Sequence, residues 1–491
     1  MKVTRTVLKV GVATTFVLGT IYPMTTMAAP SESKTVITFW NRQPELLPAL
    51  NATIKGFEKQ HPNIQVKVTT DVTNYNTELQ AAISGNSLPD IFATITSMPL
   101  SQLVQLGLIR NINSVIPKSE RGKFYPGTWS EGFTTMNGNI YVLPEYTGRR
   151  FANEMFYNLN VLKKAGLTAK DVPKTWSQFI NVGKKIYAAT KGKSYGLIVG
   201  TKTNWELAGD IMQMATAISP DVADNNISGM NGMNLKTGQY EFNSPGVVQT
   251  EEFLKSLLAD KVMNPDSRTI DYTQAEALFA AGKAAFTFDG TFLTSELIAQ
   301  GFKNFGVAPL PTKTGKPQYL AYQGQVPAGI VVSNHTQHYP QVEQFLTYMT
   351  QHFYKYLIQD GIENSPVPAI NVSTKPGSPQ FKRAMQIQDS EFVLSPNPFE
   401  RNPQTLDVYN NLMSNAPQTD PGIILQGYLS GQITNVSQAL TQLNGQWNQA
   451  FSAAIKAAQQ KGDKVTSADW AFSNWKPFRP YNASAYKKLH G

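Results

Sequence analysis

The sequence predicts an α/β protein built from at least two lobes. Its 491 residues are more than one ordinary hydrophobic core accommodates. From residue 36 onward, short β-rich runs alternate with stretches whose apolar residues recur at helical spacing, starting with a strand at 36–40 and a helix at 45–60. Strand, helix, strand and helix in succession are typical of a parallel sheet with helices on its faces.

The same alternation resumes after residue 150. Thr175 is placed to cap a helix that carries Phe179 and Ile186 on one face. Apolar spacing from Val436 to Ala458 predicts a long amphipathic helix. Further strands are predicted at 195–200, 284–288, 305–310 and 329–333.

Two segments carry turn-forming residues instead of periodic apolar ones. Residues 220–245 are rich in Asn, Gly and Asp and predict a surface excursion. Residues 364–404 are rich in Pro and Asn and predict irregular structure. We therefore expect the packed elements to lie outside both segments.

The amino-terminal residues are typical of an export signal. Lys2, Arg5 and Lys9 precede a short apolar stretch at 10–22, and small residues then allow cleavage after Ala28. An uncleaved anchor is the alternative, which the shortness of the apolar stretch disfavours. The sequence thus predicts a secreted protein associated with the cell envelope.

Charge and cysteine usage exclude several classes of protein. The net charge is +9, yet only 16% of residues are charged and the basic ones form no clustered stripe, so nucleic acid is not expected as a partner. The chain has no cysteine, which excludes disulfides, thiolate metal sites, cysteine nucleophiles and the lipid-bearing cysteine of binding lipoproteins. We expect neither a cofactor nor a bound metal.

No familiar catalytic motif occurs in the chain. A nucleophile elbow, a P-loop, a dinucleotide fingerprint and a zinc HExxH are all absent from the sequence. His335 and His338 could pair on a metal if they were helical, but they lie in a polar turn before Pro340. A secreted glycoside hydrolase stays open as an alternative, since 34 acidic residues always offer some carboxylate pair.

Several ordered segments resemble the extracellular solute-binding proteins of ABC importers, the family that includes maltose-binding protein. The resemblance covers nearly the whole chain after the signal, and its specificity lies in the order and spacing of the segments. These are Ile37-Thr38-Phe39-Trp40, Phe57-Glu58-Lys59-Gln60-His61-Pro62-Asn63-Ile64, Ser87-Leu88-Pro89-Asp90-Ile91, Lys164-Ala165-Gly166-Leu167, Pro173-Lys174-Thr175-Trp176 and Phe279-Ala280-Ala281-Gly282-Lys283 with Gly290-Thr291-Phe292. The family usually has a tryptophan where this chain has Phe292.

The resemblance implies a two-lobed periplasmic-binding-protein-like fold of type II, in which a hinge joins discontinuous lobes around a sugar-binding cleft. It implies a monomer that binds an oligosaccharide and delivers it to a membrane permease, without catalysis. A polyol or glycerol-phosphate ligand and a surface adhesin are alternatives. The implied order is signal peptide 1–28, first lobe 29–144, second lobe 145–320, first lobe again 321–366 and second lobe again 367–491.

Candidate ligand-binding residues lie where predicted strands end, because ligands of such sheets bind at the carboxyl ends of the strands. A sugar needs aromatic rings against its C–H faces and planar polar groups for its hydroxyls. Trp205 is the leading platform, with packing of its helix as the alternative role. The full set of candidates is Asn41, Arg42, Glu145, Tyr146, Asn204, Trp205, Asp289 and Phe292.

The remaining tryptophans and Asp90 are expected to be structural. Trp40, Trp176 and Trp447 fall on apolar strand or helix patterns, which favours packing. Asp90 follows Pro89 at a strand start, where its carboxylate can orient backbone. The alternative role for Arg42 is that of an exposed surface residue without a ligand contact. Glu145 and Tyr146 lie beside the predicted hinge.

Overall fold

The computed structural model describes residues 34–70, 74–95, 98–149, 153–222, 230–323 and 329–489. The predicted signal peptide, residues 1–28, lies outside these ranges. No helix within them is both long and apolar enough to cross a lipid bilayer.

The strands within these ranges form several sheets and are numbered in chain order. They are β1 (Thr35–Asn41), β2 (Ile64–Thr70), β3 (Ile91–Ala93), β4 (Ile109–Arg110), β5 (Thr135–Met136), β6 (Asn139–Ile140), β7 (Leu143–Pro144), β8 (Asn153–Asn158), β9 (Tyr195–Leu197), β10 (Met233–Asn234), β11 (Gln239–Tyr240), β12 (Ala284–Gly290), β13 (Phe305–Pro309), β14 (Leu320–Tyr322), β15 (Gly329–Ser333) and β16 (Phe392–Leu394).

The α-helices of the same ranges are numbered in the same way. They are α1 (Leu47–Gln60), α2 (Tyr75–Ser84), α3 (Leu100–Gln105), α4 (Lys118–Arg121), α5 (Leu159–Lys164), α6 (Trp176–Ala189), α7 (Asn204–Ala215), α8 (Pro245–Ala259), α9 (Tyr272–Ala280), α10 (Leu293–Ala299), α11 (Tyr339–Asp360), α12 (Pro368–Ser373), α13 (Pro379–Glu391), α14 (Pro398–Arg401), α15 (Thr405–Ser414), α16 (Pro421–Ser430), α17 (Val436–Gln460) and α18 (Ala483–Leu489).

The first lobe is built on a sheet of order β2-β1-β3-β15-β4, with β7 paired to β15. Strand β1 runs parallel to β2 and β3, which places Phe39 opposite Val68 and Ile91. Strand β15 joins β3 in the antiparallel sense. Helices α1 and α11 pack together against this sheet, and Phe57 meets Phe345 edge to face at 5.2 Å.

The second lobe is built on a sheet of order β13-β8-β12-β9. Every residue of β12 is buried, including the polar residues Thr287 and Asp289, as expected for a strand at the centre of a sheet that is covered on both faces. Phe286 lies opposite Tyr157 on one side and Leu197 on the other. Helix α6 begins at a capping box, in which Thr175 and Gln178 bond each other's backbone N–H groups, as predicted for its start.

The two lobes interleave along the chain. Strand β7 belongs to the first sheet and β8 to the second, and β15 then returns the chain to the first sheet. Helix α12 contacts α11 of the first lobe, whereas α13 contacts β13 of the second. The domain boundaries stay a proposal, and this packing favours a third passage between α12 and α13, a few residues beyond 366.

The sequence predicts a surface excursion at 220–245, and in the described part of that segment the prediction is wrong. Met230, Met233 and Tyr240 are completely or almost completely buried. Asn448 of α17 accepts a hydrogen bond from the Tyr240 N–H and donates one to its carbonyl oxygen. The polar residues form the turns of a short hairpin, while the apolar residues between them pack under α17.

The prediction of irregular structure at 364–404 is also wrong. The segment contains α12, α13 and α14, and each begins with a proline: Pro368, Pro379 and Pro398. A proline at the first helical position costs no hydrogen bond, because that N–H has no partner inside the helix. These prolines therefore start helices.

The carboxyl-terminal stretch completes the core of the second lobe. Trp470, Phe472 and Trp475 are at most 4% exposed and belong to the same apolar cluster as the second sheet. The Phe472 N–H donates to the carbonyl oxygen of Leu235, and Arg401 donates to that of Ala471. The tail is thus an integral part of the lobe.

Replacing Trp475 with alanine is expected to lower the free energy of unfolding by about 3–5 kcal/mol, because a large buried ring is removed and a cavity is left. Leu106→Ala is the control, since Leu106 is 56% exposed, and it should change stability by less than about 1 kcal/mol. Urea denaturation followed by circular dichroism measures both. Equal losses of unfolding free energy in the two variants would contradict the conclusion that the carboxyl-terminal stretch is part of the core.

Candidate functional site

A cleft lies between the two lobes, and its walls are the loops at the carboxyl ends of β1 and β12. The first-lobe wall includes Arg42 and Glu45, and the second-lobe wall includes Asp289 and Glu296. Burial, and to a lesser degree the negative charge of Glu45, raises the pKa of Glu145 in the same lobe and that of Glu296 in the other lobe. The Glu45 carboxylate on one wall therefore lies near the Glu296 carboxyl on the other.

The first-lobe wall is organised by buried side chains. Asn41 donates to the carbonyl oxygen of Gln43 at 2.6 Å and accepts from its N–H, so it shapes the loop after β1. Gln43 in turn donates to the Tyr146 hydroxyl at 2.7 Å. Asn41 and Tyr146 are both 0% exposed, which makes them positioning residues for the loop that carries Arg42.

A cavity of about 400 Å³ opens beside this loop and is lined by Arg42, Glu45, Asn74 and Tyr75 among others. Glu145 lies behind it, fully buried, and desolvation raises the pKa of its carboxyl to about 8 although Arg42 partly opposes the shift. At neutral and acidic pH, Glu145 is therefore a neutral acid.

The second-lobe wall presents three aromatic rings. Trp205 is 50% exposed at the start of α7. The Tyr272 ring meets Trp205 at 5.9 Å and Phe292 at 6.5 Å, edge to face in both cases. We call Trp205, Tyr272 and Phe292 the aromatic platform.

Two glycines allow the platform to form. A Cβ on Gly200 would lie 2.2 Å from the backbone of Asp271, so only glycine lets the start of α9 approach this loop. The Tyr272 N–H then donates to the Thr203 hydroxyl at 3.1 Å. A Cβ on Gly290 would lie 2.4 Å from the Phe292 ring, which folds back over the end of β12.

Beneath the platform, four carboxyl groups from four elements form a hydrogen-bonded chain. Asp289 bonds Glu206 on one side and Glu276 on the other, and Glu276 also bonds Glu296. A hydrogen bond between two carboxyls requires a proton on one of them. We call Glu206, Asp289, Glu276 and Glu296 the carboxyl chain.

Burial is the main cause of the altered acidity of this chain. Desolvation, followed by the charges of Asp289 and Glu296, raises the pKa of Glu276 to about 10. Desolvation and the neighbouring carboxyls also raise the pKa values of Asp289 and Glu206 well above their usual range. Glu276 is therefore protonated at neutral pH and can donate a hydrogen bond within the chain.

The structure brings together seven of the eight predicted residues at the two walls, with Asn41 and Tyr146 in supporting positions. Asn204 is different, because its side-chain amide donates to Asp420 at 2.8 Å and ties α7 to α16. Sequence reasoning missed Tyr272, Glu276 and Glu296. Asp271 and Gln274 form a capping box, a pattern that is visible in the sequence and marks the start of a helix. This pattern could have indicated that Tyr272 lies at a cleft loop.

The structure gives Trp176 and Asp90 the structural roles expected of them. Trp176 is 8% exposed, stacks on Phe253 at 4.5 Å and donates its ring N–H to the carbonyl oxygen of Pro311. Asp90 accepts from the N–H and hydroxyl of Thr38 and so orients backbone. Across the described ranges, no group of three or more His, Asp or Glu side chains is placed to hold a metal ion.

The arrangement of the lobes matches that of solved binding proteins. The GacH receptor of Streptomyces glaucescens, solved unliganded and with acarbose, gives a TM-score of 0.61 at 17% identity, covering 85% of this chain and 99% of that one. RafE from Streptococcus pneumoniae gives 0.61 at 19% identity, covering 86% and 99%. The likeness defines the fold class: a two-lobed α/β fold, as predicted.

Sequence similarity assigns the chain to a family. Residues 43–352 match the family of bacterial extracellular solute-binding proteins, and the chain belongs to that family. The multiple sugar-binding protein of Streptococcus mutans is 24% identical over 370 residues, which are 74% of this chain and 82% of that protein. The arabinooligosaccharide-binding protein of Bacillus subtilis is 27% identical over 247 residues, 47% of this chain and 49% of that protein. The predicted resemblance is confirmed.

The buried carboxyls make the stability of the protein depend on pH in an unusual direction. Burial raises the pKa values of Glu145, Asp210 and Glu391 to about 8, from unfolded values of about 4. Between these values the folded state binds more protons than the unfolded one. The stabilisation is therefore complete below about pH 4 and is lost as the pH rises through about 8. We expect a higher melting temperature at pH 5 than at pH 8.

Asp210→Asn tests the cause of this dependence. Asn153 donates to one oxygen of the buried Asp210 carboxyl, a bond that an amide oxygen also accepts. The variant should match the wild type at pH 4.5 and be more stable at pH 8 by at least about 1 kcal/mol, since one pKa unit corresponds to about 1.4 kcal/mol. Asp266→Asn, at an exposed position, is the control. If the melting temperatures of Asp210→Asn and of the wild type change equally across pH 4–8, burial of Asp210 does not cause the pH dependence.

Proposed function

We propose that this protein captures a neutral oligosaccharide in the cleft between its lobes and delivers it to the membrane permease of an ABC importer. The observation that carries the proposal is the aromatic platform, in which the half-exposed Trp205 contacts Tyr272. Aromatic rings cover the C–H faces of a sugar, and polar groups bond its hydroxyls. Secretion to the cell envelope and a monomeric state belong to the same proposal.

Ligand size follows from the extent of the platform. Tyr272 contacts both Trp205 and Phe292, at centroid distances of 5.9 and 6.5 Å. Rings so separated can contact successive sugar units, which favours an oligosaccharide over a monosaccharide. The named sugar ligands of the multiple sugar-binding and arabinooligosaccharide-binding relatives support this choice.

The charges of the cleft favour a neutral ligand. Arg42 is the basic side chain in the lining of the first-lobe cavity, and the carboxyl chain of the second-lobe wall supplies no positive charge. A phosphorylated ligand would meet no cluster of basic side chains at these two walls to neutralise it. The glycerol-phosphate alternative is therefore disfavoured.

The carboxyl chain also argues for binding without hydrolysis. A glycoside hydrolase needs two carboxyl groups on opposite sides of the scissile bond, roughly 5–10 Å apart, one ionised and one protonated. Glu206, Asp289 and Glu276 are at most 4% exposed and bond one another, so they support the wall instead of flanking a ligand. We propose that the sugar leaves the cleft chemically unchanged.

A thermal-shift titration of the secreted form against mono-, di- and oligosaccharides tests the proposed function, with chromatography of each mixture afterwards. A ligand at about 100 times its Kd should add roughly 2.7 kcal/mol to stability. A shift with one class of neutral oligosaccharide, recovered intact, is the expected result. Cleaved sugar would establish the hydrolase alternative, and a shift with glycerol phosphates alone would refute a neutral ligand.

Trp205→Ala is expected to weaken binding of the identified sugar roughly 10- to 100-fold, about 1.4–2.7 kcal/mol, because the exposed ring of the platform is removed. The melting temperature should change little, since half of the ring is already in water. Phe478→Ala is the matched control: Phe478 is 44% exposed and packs on Tyr319, away from the platform. Calorimetric titration that gives unchanged affinity for Trp205→Ala would remove the platform from the binding site.

A further inference from the structure

A second cavity lies on the second lobe, separate from the aromatic platform. Its volume is about 870 Å³, and it is bounded by the loop before α6, by β13 with its following loop, and by α13. Its lining includes no residue of the platform, of the carboxyl chain or of the first-lobe wall. We call it the basic groove.

Four basic side chains surround the basic groove. They come from three separate segments: Lys170 and Lys174, Lys316, and Arg383. All four are exposed, and their charged groups take part in none of the ion pairs or hydrogen bonds found within the described ranges. The charge of Arg383 acts on the buried Glu391 carboxyl, and the three lysine charges lie at the solvent-exposed rim, where an anionic ligand would neutralise them.

The floor of the groove carries a buried polar pair. Gln318 is 5% exposed and donates its amide N–H to the Glu391 carboxyl at 3.2 Å. Glu391 also accepts from Gln213, and burial raises its pKa to about 8, so below that pH it does not cancel the four cations. The Gln318 amide oxygen is buried without a partner among the described residues and requires a donor such as a hydroxyl group.

The walls between these groups are apolar. Tyr157, Val172, Leu310 and two prolines, Pro173 and Pro309, line the groove. Surfaces of this kind cover the C–H faces of sugar rings. The groove thus combines cations for acidic groups, an acceptor for a hydroxyl and apolar walls, and its volume lies within the range of small-ligand sites.

We propose that the basic groove is a second binding site, which takes an acidic oligosaccharide chain and works independently of the cleft. Carboxylate groups of the chain pair with Lys170, Lys174, Lys316 and Arg383, and a hydroxyl donates to Gln318. Because no lining residue is shared with the platform, the protein holds this chain and its cleft ligand at the same time. Uronic acid polymers have the required chemistry.

Calorimetric titration of the secreted protein with tetragalacturonic acid at pH 6 and low salt tests the proposal, with maltotetraose as the uncharged probe of the same length. The triple variant Lys170→Gln, Lys174→Gln, Lys316→Gln should weaken tetragalacturonate binding at least tenfold. The matched control Lys163→Gln, Lys164→Gln, Lys193→Gln removes the same charge from exposed positions outside the groove and should retain binding. Trp205→Ala should also retain it, which separates this site from the proposed cleft function.

Four results would overturn the proposal. They are no binding of tetragalacturonate, equal weakening in both triple variants, loss of binding in Trp205→Ala, and binding of tetraglutamate as tight as that of tetragalacturonate. The last would identify the groove as a site for acidic peptides. High salt should weaken the interaction, because exposed ion pairs are screened.

Discussion

Desolvation of carboxyl groups is the constraint around which the cleft is organised. Four carboxyl groups there are at most 4% exposed: Glu145, Glu206, Asp289 and Glu276. The members of the carboxyl chain form hydrogen bonds with one another and not with basic side chains. An ionised carboxylate is costly to bury alone, so burial raises the pKa values of all four buried groups. Their hydrogen bonds hold the ends of α7, β12, α9 and α10 together. The positions of the three platform rings depend on that contact.

The order of the chain explains how two lobes share one hinge. Strands β7 and β8 lie in different sheets although few residues separate them, and β15 returns to the first sheet after the second is complete. The first passage follows directly on Glu145 and Tyr146, which belong to the first-lobe wall. A change at the hinge therefore moves both walls relative to a bound sugar, as expected for closure by hinge motion.

Periodicity and caps allowed central elements of both lobes to be predicted, among them β1, α1, α6, β12 and α17. The errors came from composition: the prolines of α12–α14 start helices, and the polar residues near Tyr240 form turns around buried apolar ones. Two of the three platform rings, Trp205 and Phe292, were predicted because they follow strands. Tyr272 was missed because its position depends on the close approach of Gly200 and Asp271, a contact between residues 71 apart in sequence that no local pattern encodes.

The place of β15 between β3 and β4 of the first sheet also governs how the protein reaches its folded state. The Thr94 hydroxyl donates to the Gly329 carbonyl oxygen, a contact that spans 235 residues. Contacts so distant in sequence form late, because the intervening chain must first be ordered or looped out. The strands of the second sheet lie between 153 and 309, within the segment that this contact closes. We therefore expect the second sheet to form before β15 completes the first one.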